Sequence, residues 1–306
     1  MCRLAEVSRA GYYRNLLERH PEEEDVEVRA AIQEIALAHH RRYGYRRIAA
    51  ELRRRGLQVN HKRVARLMRE DNLLAIRYRR FVITTDSRHD LEVYLNLAKR
   101  MKLTGVNQLW IADLTYIRLK NEFVYLAVIP DKWSRRTVGW ALHRTLAARL
   151  AVRALEMAIT ARRPAPGLVH HSDRGIQYSS GEYVSVLEKH HIVPNMSRPA
   201  NPCDNATCES FMKTLRQEEI YCRDYTDLED PEQHLGEFLD NYYNRQRLHS
   251  ALGYRTPAEF EQEYGASAPA DGDGPKMSFF RHGKSTDPMS DSGTAGEPCP
   301  ESPPSA

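Results

Sequence analysis

The sequence predicts two folds in series. A small all-α domain with a helix-turn-helix comes first. An α/β domain follows, built on a mixed five-stranded sheet flanked by helices. Three observations carry this reading. Apolar residues recur at helical spacing through residues 25–74, with a glycine between two of the helices. Three consecutive runs rich in β-branched and aromatic residues, joined by short connections, occupy 109–143. Beyond them strand-like and helix-like runs alternate, and a meander that passes into such alternation makes a mixed sheet covered on both faces.

The elements follow in order. In "DVEVRAAIQEIAL" (25–37), Val28, Ile32, Ile35 and Ala36 share one helical face. Ile48, Ala49 and Leu52 define a second helix, stopped by Gly56. Asn60 is placed to cap a third, whose apolar stripe is Val64, Leu67 and Met68. Helix, short turn, helix is the outline of a helix-turn-helix. The third helix carries Lys62, Arg63, Arg66 and Arg69, suited to DNA phosphates or base edges. From Arg41 to Arg80 there are fourteen Lys or Arg against three acids, a charge of +11 in a chain whose net charge is +4. The rest of the chain therefore sums to −7 (4 − 11), and so uneven a distribution favours a polyanion partner for the first domain.

The expected strands are "LWIADLTYI" (109–117), "FVYLAVIPD" (123–131), "TVGWALH" (137–143), "GLVHHSD" (167–173) and "HIVPNM" (191–196). Helices are expected at 147–162 and 180–190, from about Asn205, and within "PEQHLGEFLDNYYNRQR". From about Gly265 the chain turns Ser-, Pro- and Gly-rich, with little to bury. The expected organisation is a helical N-terminal region (1–80, helix-turn-helix at about 41–74), a basic linker (81–105), a core (106–262) and a disordered tail (263–306).

Other classes are disfavoured. No apolar run of about 18 residues occurs, so no transmembrane helix is expected. "MCRLAEVSRAGYYR" lacks the apolar centre of a secretory signal, which makes the cytoplasm the expected compartment. The five cysteines are scattered, with no pairing that suits structural zinc.

Three acids stand out. Strand alternation puts Leu109, Ile111, Asp113, Thr115 and Ile117 on one face. A mid-strand acid needs an arginine partner or a cation. Asp173 ends "GLVHHSD", where ligands gather in open α/β sheets, or else it forms the turn before Gly175. Glu209 shares a helix face with Asn205, Lys213 and Arg216; it either pairs with Lys213 or joins the other acids.

The blocks around these acids, "W-I-A-D-L-T-Y-I", "H-S-D-R-G-I-Q-Y-S" and "D-N-A-T-C-E-S-F", resemble the three catalytic blocks of D-D-E transposases and retroviral-type integrases. Between Asp173 and Glu209 lie 35 residues (209 − 173 − 1), a spacing characteristic of that superfamily. "YNRQRLHSALGYRTPAEF" (243–260) resembles the C-terminal signature of bacterial insertion-sequence transposases, and "YGYRRIAAELRRRG…NHKRVARLMRE" resembles their helix-turn-helix. The resemblance is to the second-frame (OrfB) products of the IS-three family and covers about residues 1–262.

The resemblance implies a ribonuclease H-like core and metal-dependent 3′-end cleavage and strand transfer by a D-D-E two-metal mechanism. Asp113, Asp173 and Glu209 would be the catalytic residues and metal ligands, holding two Mg²⁺ ions for which Mn²⁺ can substitute. Asn205, Lys213 and Arg216 would join Lys62, Arg63, Arg66 and Arg69 in binding DNA, with Tyr178 and Ser179 lining the DNA groove. Asp131 and Arg135 read as structural. The implied partners are DNA (element ends and target), further copies of the chain on that DNA, and the first-frame (OrfA) product or a fusion with it. The implied location is the bacterial cytoplasm, at the nucleoid when DNA is bound. Arg216 stands where the family commonly has Lys, and Cys208 where a small or apolar residue is usual. Two other classes compete: a decayed or repurposed DNA-binding protein without catalysis, and a nuclease that cuts without joining.

Overall fold

The computed structural model describes Ser8 and residues 23–75, 101–173, 175–196 and 206–265. The chain divides into two compact units, Met1–Arg79 and Arg80–Ala306. Most of the expected basic linker, Asn205, and the tail beyond Gly265 lie outside the described residues.

The first unit has three helices: α1 (Glu23–Ala38), α2 (Tyr45–Arg54) and α3 (His61–Glu70). The apolar residues read from the periodicity are its core: Val28, Ile32, Ile35, Ile48, Leu52, Val64, Leu67 and Met68 are all buried. Gly56 follows α2 with φ +88°, in the left-handed region that glycine enters without steric cost. Asn60 caps α3, its side chain accepting a hydrogen bond from the Lys62 amide at 2.8 Å. Ion pairs bind α1 along α3. Asp25 accepts from Arg63 Nε at 2.9 Å and from Arg66 Nη2 at 3.4 Å. At the other end of α3, Arg29 pairs with Glu70 and Asp71.

The second unit contains β1 (Leu109–Ile111), β2 (Asp113–Arg118), β3 (Phe123–Pro130), β4 (Thr137–His143), β5 (Val169–Ser172) and β6 (Val193–Met196). All five expected strands are present, and the first is interrupted at Ala112. That break separates two ladders. β2, β3 and β4 form the antiparallel meander. β1 pairs with β5, and β5 with β6, all parallel. The ladders are joined at the break: Ala112 N donates to His171 O at 2.7 Å, while Trp110 bridges to Asp131 beyond β3.

Helices cover both faces. The even-numbered residues Trp110, Ala112 and Leu114 pack in one core with α4 (Ala148–Arg162) and α5 (Gly181–Lys189). The odd-numbered Asp113 and Thr115 face α6 (Ala206–Glu218), whose Arg216 donates to Thr115 Oγ1 at 3.0 Å. Beyond a short 3₁₀ turn, α7 (Glu229–Gly236) continues into a wider π-helical stretch, Glu237–Gln246, and α8 (Pro257–Gly265) ends the described chain. α8 runs past the expected end of the core at 262, so residues 263–265 belong to a helix and not to the tail.

Side chains of the C-terminal signature fasten this unit. Asn244 accepts from the Thr137 amide and donates to the Thr137 carbonyl, both at 2.9 Å, as a strand neighbour would. Arg247, only 3% exposed, grips Glu218 of α6 with two hydrogen bonds of 2.7 and 2.6 Å. Glu261 of α8 binds Arg162 through both oxygens, at 2.7 and 2.9 Å, and Arg136 at 2.9 Å. Asp131 is structural, as expected. Its carboxylate is held by the amides of Asn107, Trp133 and Ser134.

The closest approach in the core is at Gly139 of β4. A Cβ there would stand 2.3 Å from the Ala154 carbonyl oxygen and 2.8 Å from the Ala158 Cβ. Neither can move without shifting α4. Gly139→Ala is therefore expected to destabilise this unit by about 2–3 kcal/mol, the cost of overpacking a dense interior. Chemical denaturation of the single variant checks this; an unchanged midpoint would contradict the packing described.

Candidate active site

The site begins with strand register. β1 pairs with β5 in parallel, Leu109 with Val169, Trp110 with His170 and Ile111 with His171. Asp113 and Asp173 each lie two residues beyond the last of these pairs, Asp113 past the break at Ala112 and paired in its own ladder with Val128. In-register neighbours on parallel strands point to one face, about 5 Å apart along the hydrogen-bonding direction. Two carboxyl groups far apart in sequence are thus carried near one another, on the segments that follow β1 and β5.

Their proximity is written in Asp113. Burial and the neighbouring Asp173 raise its pKa to about 7. Three groups oppose the rise. The Leu114 amide donates to Oδ1 at 2.8 Å, the Arg216 guanidinium lies nearby, and the Cys208 thiol donates a hydrogen bond. Asp173 is locally fixed, its Oδ1 accepting from the Gly175 amide at 2.9 Å. The turn-forming reading of Asp173 therefore holds, and its carboxylate is at the same time close to Asp113.

α6 delivers the third block. Cys208, Phe211, Met212 and Leu215 are its buried side. Cys208 is wholly buried and touches Asp113, so the thiol ties the first turn of α6 to β2. Glu209 is the next residue and is exposed, as is Lys213. One residue along a helix turns the side chain by about 100°. The structure thus pairs Asp113 with Asp173 and leaves Glu209 on the rim. Among the described residues no group of three or more His, Cys, Asp or Glu side chains is gathered to hold one metal ion.

The remaining expected residues divide. Lys62 and Arg69 are exposed on α3, while Arg63 and Arg66 are engaged by Asp25. Arg216 turns inward to Thr115 and Asp113. Tyr178 is buried, with 2% of its surface exposed, and does not line an open groove. Sequence reasoning gave no role to Asp25 or Thr115, and it noted Cys208 only as a departure from the family. The register of Thr115, two residues after Asp113 on the same face, was the available signal for it.

Two hard oxygen donors that repel one another fit a divalent cation, which takes carboxylate ligands and relieves the repulsion. The chemistry of the pair, not any one residue, makes the fit.

With this geometry in hand, comparison with known proteins places the chain. Residues 104–202 and 190–257 match two family models described as integrase core domains. Residues 22–81 match an HTH-like domain. The chain therefore joins a helix-turn-helix-like unit to an integrase-like core, the class of polynucleotidyl transferases. It is 38% identical over 268 residues to the uncharacterized 31 kDa protein of insertion element IS600 from Shigella sonnei, covering 86% of this chain and 98% of that one. It is 34% identical over 268 residues to transposase InsF of insertion sequence IS3A from Escherichia coli K12, covering 86% and 93%. The magnesium-bound catalytic core of HTLV-2 integrase aligns with a TM-score of 0.40 and 16% identity, over 51% of this chain and 97% of that one. The chain belongs to the IS3 family of insertion-sequence transposases, within the integrase-like superfamily. Among the described residues no helix is long and apolar enough to cross a membrane.

The raised pKa of Asp113 has a measurable consequence. Between the ordinary value of 3.8 and about 7 the folded state binds more protons than the unfolded state. This group's contribution is therefore full below about 4 and is lost as pH rises through 7. Without metal at pH 8, Asp113→Asn is expected to stabilise the core by on the order of 1–2 kcal/mol. That allows about 1.4 kcal/mol per unit, discounted for the residue's partial exposure. The gain should vanish at pH 4. Thermal melts at the two pH values test this, and a variant less stable than wild type at pH 8 would refute the repulsion.

Proposed function

We propose that this transposase carries out 3′-end cleavage and strand transfer of its insertion sequence through Asp113, Asp173 and Glu209. The observation that supports the reading is the nearness of Asp113 and Asp173, seen in the rise that Asp173 causes in the pKa of the buried Asp113. In the first reaction, water attacks the phosphodiester at the element end and frees a 3′-hydroxyl. In the second, that hydroxyl attacks a target phosphodiester, so one P–O bond forms as another breaks. Divalent cations, two Mg²⁺ or Mn²⁺ in their place, would be held by Asp113 and Asp173 with Glu209 completing the set, and would supply Lewis-acid activation of the oxygens.

The protein's own residues do the rest. Asp113 and Asp173 are each fixed locally, by the Leu114 and Gly175 amides, so little reorganisation is needed at this half of the site. Glu209 joins from the exposed face of α6, where the Cys208 tie limits its travel. Lys213, exposed one turn further on, meets DNA phosphate. Arg216 sits behind it on Thr115, holding positive charge close to Asp113. Asn205, outside the described residues, belongs to the same block. On the first unit, Lys62 and Arg69 meet DNA directly, with Arg63 and Arg66 beside them.

The partners in this reading are element-end and target DNA, further copies of the chain on that DNA, and the first-frame product or a fusion with it. The setting is the bacterial cytoplasm and nucleoid.

The test is a cleavage-and-joining assay on labelled DNA bearing the sequences that flank the gene, with the first-frame partner fused and Mg²⁺ or Mn²⁺ present. Wild type should cut and join. Glu209→Gln should lose both by at least a hundredfold while retaining DNA binding. Cutting unchanged in Glu209→Gln would remove Glu209 from the site. Tight binding with no cutting in any metal would favour the non-catalytic reading, and cutting without joined products the nuclease.

A further inference from the structure

The carboxylate pair has a second buried hydroxyl-type neighbour besides the Cys208 thiol. Tyr178 follows Asp173 through a tight turn. The Gly175 amide donates to Asp173 Oδ1, and the Tyr178 amide donates to Gly175 O at 3.0 Å. A Cβ placed on Gly175 would stand 3.0 Å from Asp173 Oδ1 and 3.6 Å from Tyr178 Cδ2. The ring edge and the carboxylate oxygen therefore flank one point. The ring packs edge-on against Tyr183, with centroids 5.4 Å apart. The Tyr178 hydroxyl is buried, yet it has no hydrogen-bond partner among the described residues. Its neighbour differs: the Tyr183 hydroxyl meets His170 Nε2.

A buried phenol without an acceptor is costly, and native structures that keep one have a water, an ion or a function there. The charged groups around Tyr178 are Asp173 and Asp113, with Cys208 and Tyr183 also close. A tyrosine hydroxyl keeps its proton at neutral pH and is therefore available as a donor. A donor beside two carboxylates, bonded to neither, has a natural acceptor in an oxygen that arrives with whatever fills the space between them.

We propose that the Tyr178 hydroxyl is a positioning donor for the hydrated cation that enters at Asp113 and Asp173, hydrogen-bonding to an oxygen of that cation's water shell. The proposal rests on the divalent-cation reading of the pair given above. Tyr178 acts through the water and does not itself ligate the ion. Its role would be to hold one water of that shell in place beside the carboxylate pair.

The experiment is a Mg²⁺ titration of the full chain, followed by thermal melting, on wild type, Tyr178→Phe, Tyr183→Phe and Asp113→Asn. Tyr178→Phe keeps the ring and removes only the unpartnered oxygen. Without metal it should melt at or above the wild-type temperature, because an unsatisfied group has been removed. Its Mg²⁺ midpoint should rise about threefold to tenfold, the worth of one hydrogen bond. Tyr183→Phe should show the converse: a lower metal-free melting temperature and an unchanged Mg²⁺ midpoint. Two results would overturn the proposal. One is a Tyr178→Phe midpoint equal to wild type. The other is a clearly lower metal-free melting temperature in Tyr178→Phe, which would mean that the hydroxyl has a structural partner. Asp113→Asn separates the layers. A Mg²⁺ shift that persists in it sinks the cation site as well, whereas a shift lost there but intact in Tyr178→Phe sinks only the role of the tyrosine.

Discussion

Everything at the site depends on the parallel pairing of β1 with β5. A parallel ladder fixes which residues stand level, and a slip of one residue would turn every side chain to the other face. Here the offset of 60 is held by Leu109, Trp110 and Ile111 on one strand and Val169, His170 and His171 on the other. All six are buried, so the ladder is locked by packing on both faces. The sheet can therefore hold Asp113 and Asp173 together against their mutual repulsion. The cost is borne by a dense core that cannot relax around the pair, and it appears as the raised pKa of Asp113.

The third acid of the proposed set is carried differently. Glu209 is carried by a helix, and that helix is positioned by contacts at its two ends. Near its start Cys208 meets Asp113; near its end Glu218 is gripped by Arg247. Arg216 adds a third tie, to Thr115. Arg247 belongs to the C-terminal signature, and so does Asn244, which completes the start of β4. A motif that marks the family in sequence thus works at a distance from the acids, by deciding where α6 and β4 can lie.

Much of this was legible before any coordinates. The helical periodicities, the Asn60 cap, the meander and the alternation after it each follow from short-range rules, and the structure reproduces them. The shared face of Asp113 and Thr115 was legible too, since strand alternation is local. What was not legible is long-range or orientational. Periodicity cannot tell that α6 turns Cys208 and Arg216 inward and leaves Glu209 outside, because the helix offers several usable faces. Counting charges on α3 cannot reveal that Asp25, some forty residues earlier, claims Arg63 and Arg66. Nor does a run of strand residues announce the break at Ala112. That break arises where the chain passes from β5's ladder to β3's, and it needs both partners to be seen.

The Asp25 clamp alters how the first unit would respond to ionic strength. DNA binding by basic proteins is driven largely by release of condensed counterions, one for each phosphate neutralised. α3 displays four cations, but two of them already share one buried carboxylate. An arginine so engaged brings less net charge to a phosphate, and fewer ions are set free. Affinity for DNA in general should then fall off with salt less steeply than the count of lysines and arginines suggests. In the proposed DNA-binding role, such a surface would hold every duplex less tightly through charge alone, leaving more of the choice to shape and base contacts.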